Sequence, residues 1–218
     1  MGNPLGSLTC AFLALSTAAP ALATDDRIEL WITPKVTANL DENTSVKGEF
    51  SYRSREEQNV RGETVLARLW IQQDFADGLR LAAAIERREN QRNNETRFMQ
   101  QASFRKGLFD ARVRFEQRHI EGAQRLSLRL RPLLGISDTF GPDRRWEAHA
   151  SVELQWTLQK PDRLAQGGVT AYRTDIGLTY RLRDNLNLGV SYLRQRNFRP
   201  QGEDQILHIP VATLNLTL

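Results

Sequence analysis

Cysteine, lysine and long apolar runs are scarce in this 218-residue sequence. Its one cysteine is Cys10, which excludes a disulfide framework, a zinc cluster and a cysteine nucleophile. The N-terminal apolar run is too short, and too rich in Ala and Ser, for a membrane-spanning helix. At 40% hydrophobic residues the chain is too apolar for a disordered tail. We therefore exclude a helical membrane protein, a disulfide miniprotein and a metal finger, and we expect no metal or cofactor.

Lysine is rare although the chain is basic. Of 30 Lys and Arg residues only four are lysines, and the net charge is +4. Basic residues alternate with acidic ones instead of forming a patch, and aromatic RNA-binding motifs are absent. We therefore expect no nucleic-acid partner.

The N-terminal segment has the features of a targeting signal. Residues 1–24 contain no charged side chain, and residues 8–15 are apolar with one interruption. Ala21-Leu22-Ala23 supplies the small residues that signal peptidase accepts at positions −3 and −1. We expect residues 1–23 to be a cleaved signal peptide and residues 24–218 to form a single outer-membrane β-barrel domain.

Alternation of apolar and polar residues with period two dominates the rest of the chain. In residues 146–156 Trp, Ala, Val and Leu at even positions alternate with Glu, His, Ser and Gln at odd positions. Such residues point to opposite sides of a β-strand. We predict an all-β protein with eleven such segments, separated by turn signals such as Asp77-Gly78. The segments are 27–38, 45–54, 63–73, 78–88, 95–105, 107–118, 123–134, 145–157, 169–182, 185–194 and 205–217.

Two architectures share this alternation with opposite polarity: a soluble lipocalin-like barrel and an outer-membrane barrel. Most segments have ten to fourteen residues, whereas globular strands average about 5–6 and membrane-spanning strands need about 9–11. Aromatic residues recur on the apolar face, at spacings that suit the girdles of a membrane barrel. We predict this girdle at Trp146, Trp156, Tyr172 and Tyr180.

The polar face supports the membrane reading because it uses arginine where a solvated face would use lysine as well. Arginine pairs with carboxylates in bidentate geometry and keeps its charge in a confined space. We therefore predict an antiparallel up-and-down transmembrane barrel with a lumen lined by Arg and acidic residues. The predicted lumen-lining residues are Arg80, Glu86, Arg97, Asp110, Arg112, Arg114, Glu116, Arg129, Arg131, Glu147, Glu153, Arg173, Asp175 and Arg181.

The strand count follows from loop lengths and parity. Short connections should face the periplasm and long ones the outside, which places the C-terminus in the periplasm. Eleven segments would place the first strand's start outside, whereas bacterial single-chain barrels have even counts. We expect ten to twelve strands, with an even count and twelve preferred over ten. The alternating C-terminal strand, which ends at Leu218 without the usual aromatic, is expected to engage the barrel-assembly machinery.

Several stretches carry a resemblance to a known family. They are Trp31, Phe50-Ser51-Tyr52-Arg53, Arg112-Val113-Arg114-Phe115-Glu116-Gln117-Arg118 and Asp175-Ile176-Gly177-Leu178-Thr179-Tyr180. In these the chain resembles, from Glu29 to Leu218, the outer-membrane barrel family called domain of unknown function 2490 (DUF2490). The resemblance implies a β-barrel and supplies no reaction.

Three functional hypotheses follow. The leading one is a non-enzymatic barrel of a Gram-negative outer membrane, in contact with membrane lipid and lipopolysaccharide. It would act as a narrow pore with anion preference or as a structural barrel. The second is a lipid-modifying enzyme similar to a lipid A deacylase, because His149, Ser151 and Glu153 share one strand face. The third is a soluble periplasmic barrel with a hydrophobic ligand. No histidine pair has metal-ligand spacing.

Overall fold

The computed structural model describes residues 25–55 and 62–218, which form eleven strands and two short 3₁₀ turns. The predicted signal peptide lies outside the described residues. The 3₁₀ turns are Ala76–Gly78 and Pro142–Arg144. No helix in the described part of the chain is long and apolar enough to cross a membrane. The strands are β1 (Asp25–Asn39), β2 (Thr44–Arg55), β3 (Thr64–Asp74), β4 (Leu79–Asn90), β5 (Glu95–Lys106), β6 (Phe109–Ile120), β7 (Ser127–Phe140), β8 (Trp146–Gln159), β9 (Gly168–Arg183), β10 (Leu186–Asn197) and β11 (Gln205–Thr217).

The strands pair in chain order and close into a barrel. Every consecutive pair is antiparallel, and β1 pairs with β11 in parallel to complete the ring. The all-β prediction and the eleven predicted segments are confirmed. The largest difference is β7, predicted over 123–134, which continues through Gly135 to Phe140. A Cβ at Gly135 would lie 3.0 Å from the Ala150 carbonyl oxygen, so glycine permits the close approach of β8 there.

The preference for an even count, and for twelve strands, is wrong: the described residues close a barrel with eleven. Parity requires even numbers only where the first and last strands are also antiparallel. Here β1 and β11 both begin at the same end, with Asp25 opposite Gln205. A parallel seam therefore accommodates the odd strand.

The two ends of the barrel differ in the length of their connections. One end, called the loop end, carries the segments 91–94, 121–126, 160–167 and 198–204, and it is also where β2 ends and β3 begins. The other, called the turn end, carries 40–43, 75–78, 107–108, 141–145 and 184–185. At the turn end Gly78 has φ of +79°, and a Cβ there would lie 2.1 Å from the carbonyl oxygen of Arg105. Only glycine fits this turn without strain.

The barrel is apolar outside and charged inside. Phe109, Val190 and Ile176 point outward and are 71%, 64% and 61% exposed. Glu86 and Glu116 point inward and are fully buried at 0% exposure. This is the reverse of a soluble globular protein, in which charged side chains are rarely fully buried.

Candidate functional site

A band of alternating acidic and basic side chains crosses the inside of the barrel. It takes one residue from each of the eight consecutive strands β2 to β9, and glutamate alternates with arginine throughout. Charged atoms of successive members lie no more than 3.9 Å apart. We call this set the charge belt, and its members are Glu49, Arg68, Glu86, Arg97, Glu116, Arg131, Glu153 and Arg173.

The first half of the belt encloses one glutamate, Glu86, between two arginines. Arg68 Nη1 lies 3.0 Å from Glu49 Oε1, and the same guanidinium also contacts Glu86. Arg97 Nη1 lies 3.3 Å from Glu86 Oε1 and 3.9 Å from Glu116 Oε2. The fully buried Glu86 carboxylate is thus compensated from both sides, as a buried charge requires.

The second half continues through Arg131, which is 7% exposed. Its Nη1 donates to Glu116 Oε1 at 2.7 Å, and its Nη2 donates to Glu153 Oε1 at 2.5 Å. Glu153 also contacts Arg112 and has Arg173 Nη1 at 3.5 Å. One carboxylate therefore serves three guanidinium groups, and this end of the belt is richer in positive charge.

Strand register places the first four members of the belt side by side. Glu49 is directly opposite Arg68, Arg68 opposite Glu86, and Glu86 opposite Arg97. Opposite charges at directly facing positions of antiparallel strands stabilise the pairing. Because side chains alternate sides along a strand, all four also share the inner face.

A second part of the lumen carries no charge. The strands β10 and β11, both described in full, present only uncharged side chains to the inside. Leu207 and Ile209 pack there with Trp31 of β1 in a small apolar cluster. We call this surface the neutral wall, and its inner residues are Asn187, Gly189, Ser191, Leu193, Gln195, Leu207, Ile209, Val211, Thr213 and Asn215.

Between the charge belt and the neutral wall lies a cavity of about 460 Å³. Toward the loop end the inner side chains are buried, with Thr64 at 1%, Glu95 at 5% and Ser127 at 0% exposure. Toward the turn end, inner side chains such as Gln101 and His149 are partly exposed. In the described part of the chain the cavity therefore opens toward the turn end and is closed toward the loop end.

The cavity has a large excess of positive charge. Eleven of its lining residues are Arg or Lys, and three are carboxylates. Behind this lining lie four more glutamates and two more arginines, which contact each other or the belt: Glu29, Glu86, Glu95, Glu116, Arg55 and Arg118. With these included, the lumen has thirteen cations and seven carboxylates in and behind the cavity lining. Among the described residues, five lumen cations have no carboxylate oxygen within 4.0 Å. They are Lys35, Lys47, Arg53, Arg114 and Arg129.

Two inward tryptophans contact these cations. The Trp31 ring has the guanidinium carbon of Arg53 at 3.7 Å and that of Arg173 at 5.5 Å from its centroid. The Trp70 ring has the guanidinium carbon of Arg114 at 5.0 Å. Aromatic faces attract cations, so each ring holds one arginine that lacks a carboxylate partner, Arg53 at Trp31 and Arg114 at Trp70.

The structure places all fourteen sequence-predicted lumen residues on inner strand faces, in two groups. Ten lie at the belt, the cavity or both: Glu86, Arg97, Arg112, Arg114, Glu116, Arg129, Arg131, Glu153, Arg173 and Asp175. The other four lie nearer the rim at the turn end: Arg80, Asp110, Glu147 and Arg181. Arg105 joins two of these, with Nε at 2.5 Å from Asp110 Oδ1 and Nη2 at 3.3 Å from Glu147 Oε1.

The structure does not assemble the candidate catalytic trio. His149 Nε2 lies 3.4 Å from Asp175 Oδ2, on the neighbouring strand. Glu153 belongs to the charge belt. Within the described residues no hydrogen bond joins Ser151 to His149, so the serine lacks the adjacent base that nucleophilic catalysis requires. Spacing along one strand selected the face correctly but not the partners across it.

The predicted girdle residues lie at the two ends of their strands. Trp146 and Trp156, ten positions apart on β8, are 40% and 47% exposed on the outer face. Trp146 contacts Tyr180 with ring centroids 4.7 Å apart, at the turn end. Tyr172 contacts Phe198 at 6.0 Å, at the loop end.

Sequence reasoning missed the contribution of the first three strands to the lumen. Lys35, Lys47, Arg53, Trp31 and Trp70 all line the cavity. The signal was available, since Lys47 and Arg53 alternate with Val46 and Phe50 in the same period-two pattern. Among the described residues, no group of three or more His, Cys, Asp or Glu is placed to hold a metal ion.

Comparison with known proteins gives one family and a distant fold likeness. A family model described as "Protein of unknown function (DUF2490)" matches residues 28–206. A solved structure reported under "Unveiling the Mechanism Behind the in-meso Crystallization of Membrane Proteins" is similar at 12% identity and a TM-score of 0.44, over 80% of this chain and 72% of the other. No curated protein matches the chain. At that TM-score the structural likeness carries no argument about function.

Proposed function

Since the chain belongs to DUF2490, a family of proteins of unknown function, we propose a function from the barrel itself. We propose that the protein spans the outer membrane of a Gram-negative bacterium as a non-enzymatic barrel whose lumen is closed to general solute flow. Lipid and lipopolysaccharide would contact its outer face, and the barrel-assembly machinery would insert it. A signal peptide at residues 1–23 would direct its export.

The observation that carries this proposal is the inverted polarity. Apolar side chains are exposed around the outside, whereas buried ion pairs fill the inside. Monomeric soluble proteins rarely expose contiguous apolar patches larger than a few hundred Å². A soluble barrel with a hydrophobic ligand would need an apolar lumen, and this lumen is lined by arginine.

Strand length and end asymmetry support a membrane setting. The strands have 11 to 16 residues, and a membrane-spanning strand needs about 9–11. Long connections at one end and short ones at the other follow the pattern of outer-membrane barrels, whose short turns face the periplasm. The turn end would then be periplasmic and the loop end extracellular.

The charge belt supports a closed barrel rather than an open pore. Barrels of about 8 strands are filled by their side chains, and open aqueous channels appear at about 16–18. Eleven strands lie between these sizes, and the belt and buried inner residues occupy much of the interior toward the loop end. We expect no ohmic conductance when the purified barrel is inserted in a planar bilayer.

The first experiment locates the protein and tests its fold together. Outer membrane, inner membrane and soluble periplasm are separated and run on a cold SDS gel, boiled and unboiled. We expect a band in the outer-membrane fraction that migrates faster when unboiled. A band found only in the soluble periplasm would overturn the proposal.

A charge on the outer face gives a sharper test. Val190 points outward from β10 and is 64% exposed. Arginine at the bilayer midplane of such a barrel destabilises it by about 2–4 kcal/mol, so Val190→Arg should reduce the folded, outer-membrane form. The matched control Leu164→Arg, in the connection at the loop end, should have no effect. If Val190→Arg were as harmless as the control, the outer face would be in water.

A further inference from the structure

The cavity between the charge belt and the neutral wall has the composition of an anion site. Five of its cations have no carboxylate oxygen within 4.0 Å. These five are separate from the arginines of the charge belt, which glutamates already neutralise. Arg53 and Arg114 are each only 8% exposed. Removing one partner of a buried ion pair is strongly destabilising because it leaves an uncompensated charge. A native cavity with several such cations therefore needs a counter-charge.

Individual guanidinium atoms point to the same conclusion. Arg53, Arg112 and Arg129 line the cavity, and each has a buried Nε without a hydrogen-bond partner. Buried donors in folded proteins are nearly always paired, so unpaired ones call for a ligand or ordered solvent. Guanidinium groups match the oxygens of phosphate in bidentate geometry.

We propose that this cavity binds a small solute bearing a phosphate group, held by Arg53, Arg114 and the lysines Lys35 and Lys47, with its uncharged part against the neutral wall. The inference deepens the proposed function by naming the ligand class of the same lumen. It rests on that function only for the side of entry, the periplasm, because the cavity opens at the turn end.

Size and shape suit a phosphate ester. Ligand pockets measure about 300–1,000 Å³, and this cavity is about 460 Å³, more than one inorganic ion requires. Leu193, Val211 and Thr213 of the neutral wall also line the cavity. These apolar and hydroxyl groups fit a short polyol or carbon chain and offer no charge to a second ionic group.

The test uses the full chain, purified as a folded barrel in non-ionic detergent, so it does not depend on where the protein lies in the cell. Isothermal titration calorimetry at constant ionic strength, set with chloride, measures binding of inorganic phosphate, glycerol 3-phosphate and micellar phosphatidic acid. Fluorescence of Trp31 and Trp70 gives a second readout, because both rings contact lumen cations.

We expect glycerol 3-phosphate to bind, and the double variant Arg53→Gln, Arg114→Gln to bind it about tenfold or more weakly, since hydrogen bonds to charged groups are among the strongest in proteins. The matched control Arg87→Gln removes an arginine whose side chain is 52% exposed on β4 and should bind as the parent does. If the double variant does not fold, Lys35→Gln with Lys47→Gln tests the same site.

Binding of inorganic phosphate as tightly as the ester supports recognition of the phosphate group alone. Tighter binding of the ester supports use of the neutral wall as well. Binding of neither soluble ligand, binding of phosphatidic acid alone, or equal weakening by Arg87→Gln overturns the proposal.

Discussion

The inner surface of β2 to β9 and that of β10 and β11 face one lumen with opposite chemistry. The first carries the charge belt, in which each buried glutamate lies between arginines. The second is the neutral wall, where small and apolar side chains pack around Ile209 at 0% exposure. The strands β2 to β9 are joined by ion pairs on their inner face, whereas β10 and β11 rely on close packing of their backbones.

The comparison separates a region of the lumen whose charges are compensated from a region where cations lack a carboxylate partner. Carboxylates compensate the arginines at the belt, so that region is expected to resist change. Next to it, the neutral wall offers no carboxylate to the remaining cations, which leaves their charge available. The following substitutions test the contrast, from the largest expected effect to the smallest.

The largest effect is expected at the centre of the belt. Glu116→Gln removes a fully buried carboxylate between Arg131 and Arg97. Breaking a buried pair in this way costs about 3–5 kcal/mol, which we expect in urea unfolding of the micelle-bound barrel. The control Glu89→Gln breaks an exposed pair with Arg87 and should change stability by about 0–1 kcal/mol. Equal effects would show that the belt is not a distinct stabilising element.

The neutral wall should respond to volume rather than to charge. A Cβ at Gly177, where β9 meets β10, would lie 2.4 Å from the Ser191 Cβ and 2.8 Å from the Val190 carbonyl oxygen. Gly177→Ala should therefore destabilise the barrel by about 1–3 kcal/mol through overpacking, measured by the same unfolding curve. Gly48→Ala is the control, since nothing lies within 4 Å of its Cβ position. A neutral Gly177→Ala would contradict the close packing of β9 against this wall.

Adding a carboxylate to the neutral wall should remove the difference between the wall, which has no carboxylate, and the charge belt. Val211 is opposite Trp31, which stacks on Arg53. We expect Val211→Glu to compensate the lumen cations internally and to weaken glycerol 3-phosphate binding about tenfold, which is about 1.4 kcal/mol. Val211→Gln has the same size without the charge and should keep most of the affinity. Calorimetry in detergent distinguishes the two, and equal losses would mean that volume rather than charge is responsible.

The smallest effect concerns the turn between β1 and β2. Hydrogen bonds from the Asn43 backbone, and then from the side chain and backbone of Thr44, hold the pKa of the exposed Asp41 carboxyl below its usual value. Because the folded pKa lies below the unfolded one, the carboxylate stabilises the fold above the unfolded pKa, and this contribution is lost as pH falls through the folded pKa. Asp41→Asn should flatten the acid side of the stability curve slightly, and NMR titration of Asp41 in the parent should give the lowered pKa directly. An unshifted titration would contradict this prediction.

The strands could be predicted from the sequence because a period of two identifies both the strand and the side of the sheet to which each residue points. That is why eleven segments and the inner position of residues such as Arg131 could be assigned from the chain alone. Strand closure could not be read in the same way. The parallel pairing of β1 with β11 joins residues far apart in sequence. The alternation within either strand does not predict which strand it pairs with.

The site was less predictable for a related reason. His149, Ser151 and Glu153 do share one face, but their partners come from neighbouring strands: Asp175 for the histidine, and Arg131 for the glutamate. Which side chains meet depends on register, and register depends on the whole barrel. The excess of cations likewise emerges only when the residues of β1 to β3 are placed opposite those of β6 and β9.

An odd number of crossings also determines how the polypeptide is oriented as a whole. A chain that passes eleven times from one side to the other leaves on the side opposite to the one on which it entered. A reporter joined ahead of β1 and another joined behind β11 would therefore occupy different compartments in the proposed outer membrane. With a parallel seam the start of β1 and the end of β11 lie on opposite sides of the barrel, whereas in an even-numbered antiparallel barrel the two chain ends lie on the same side.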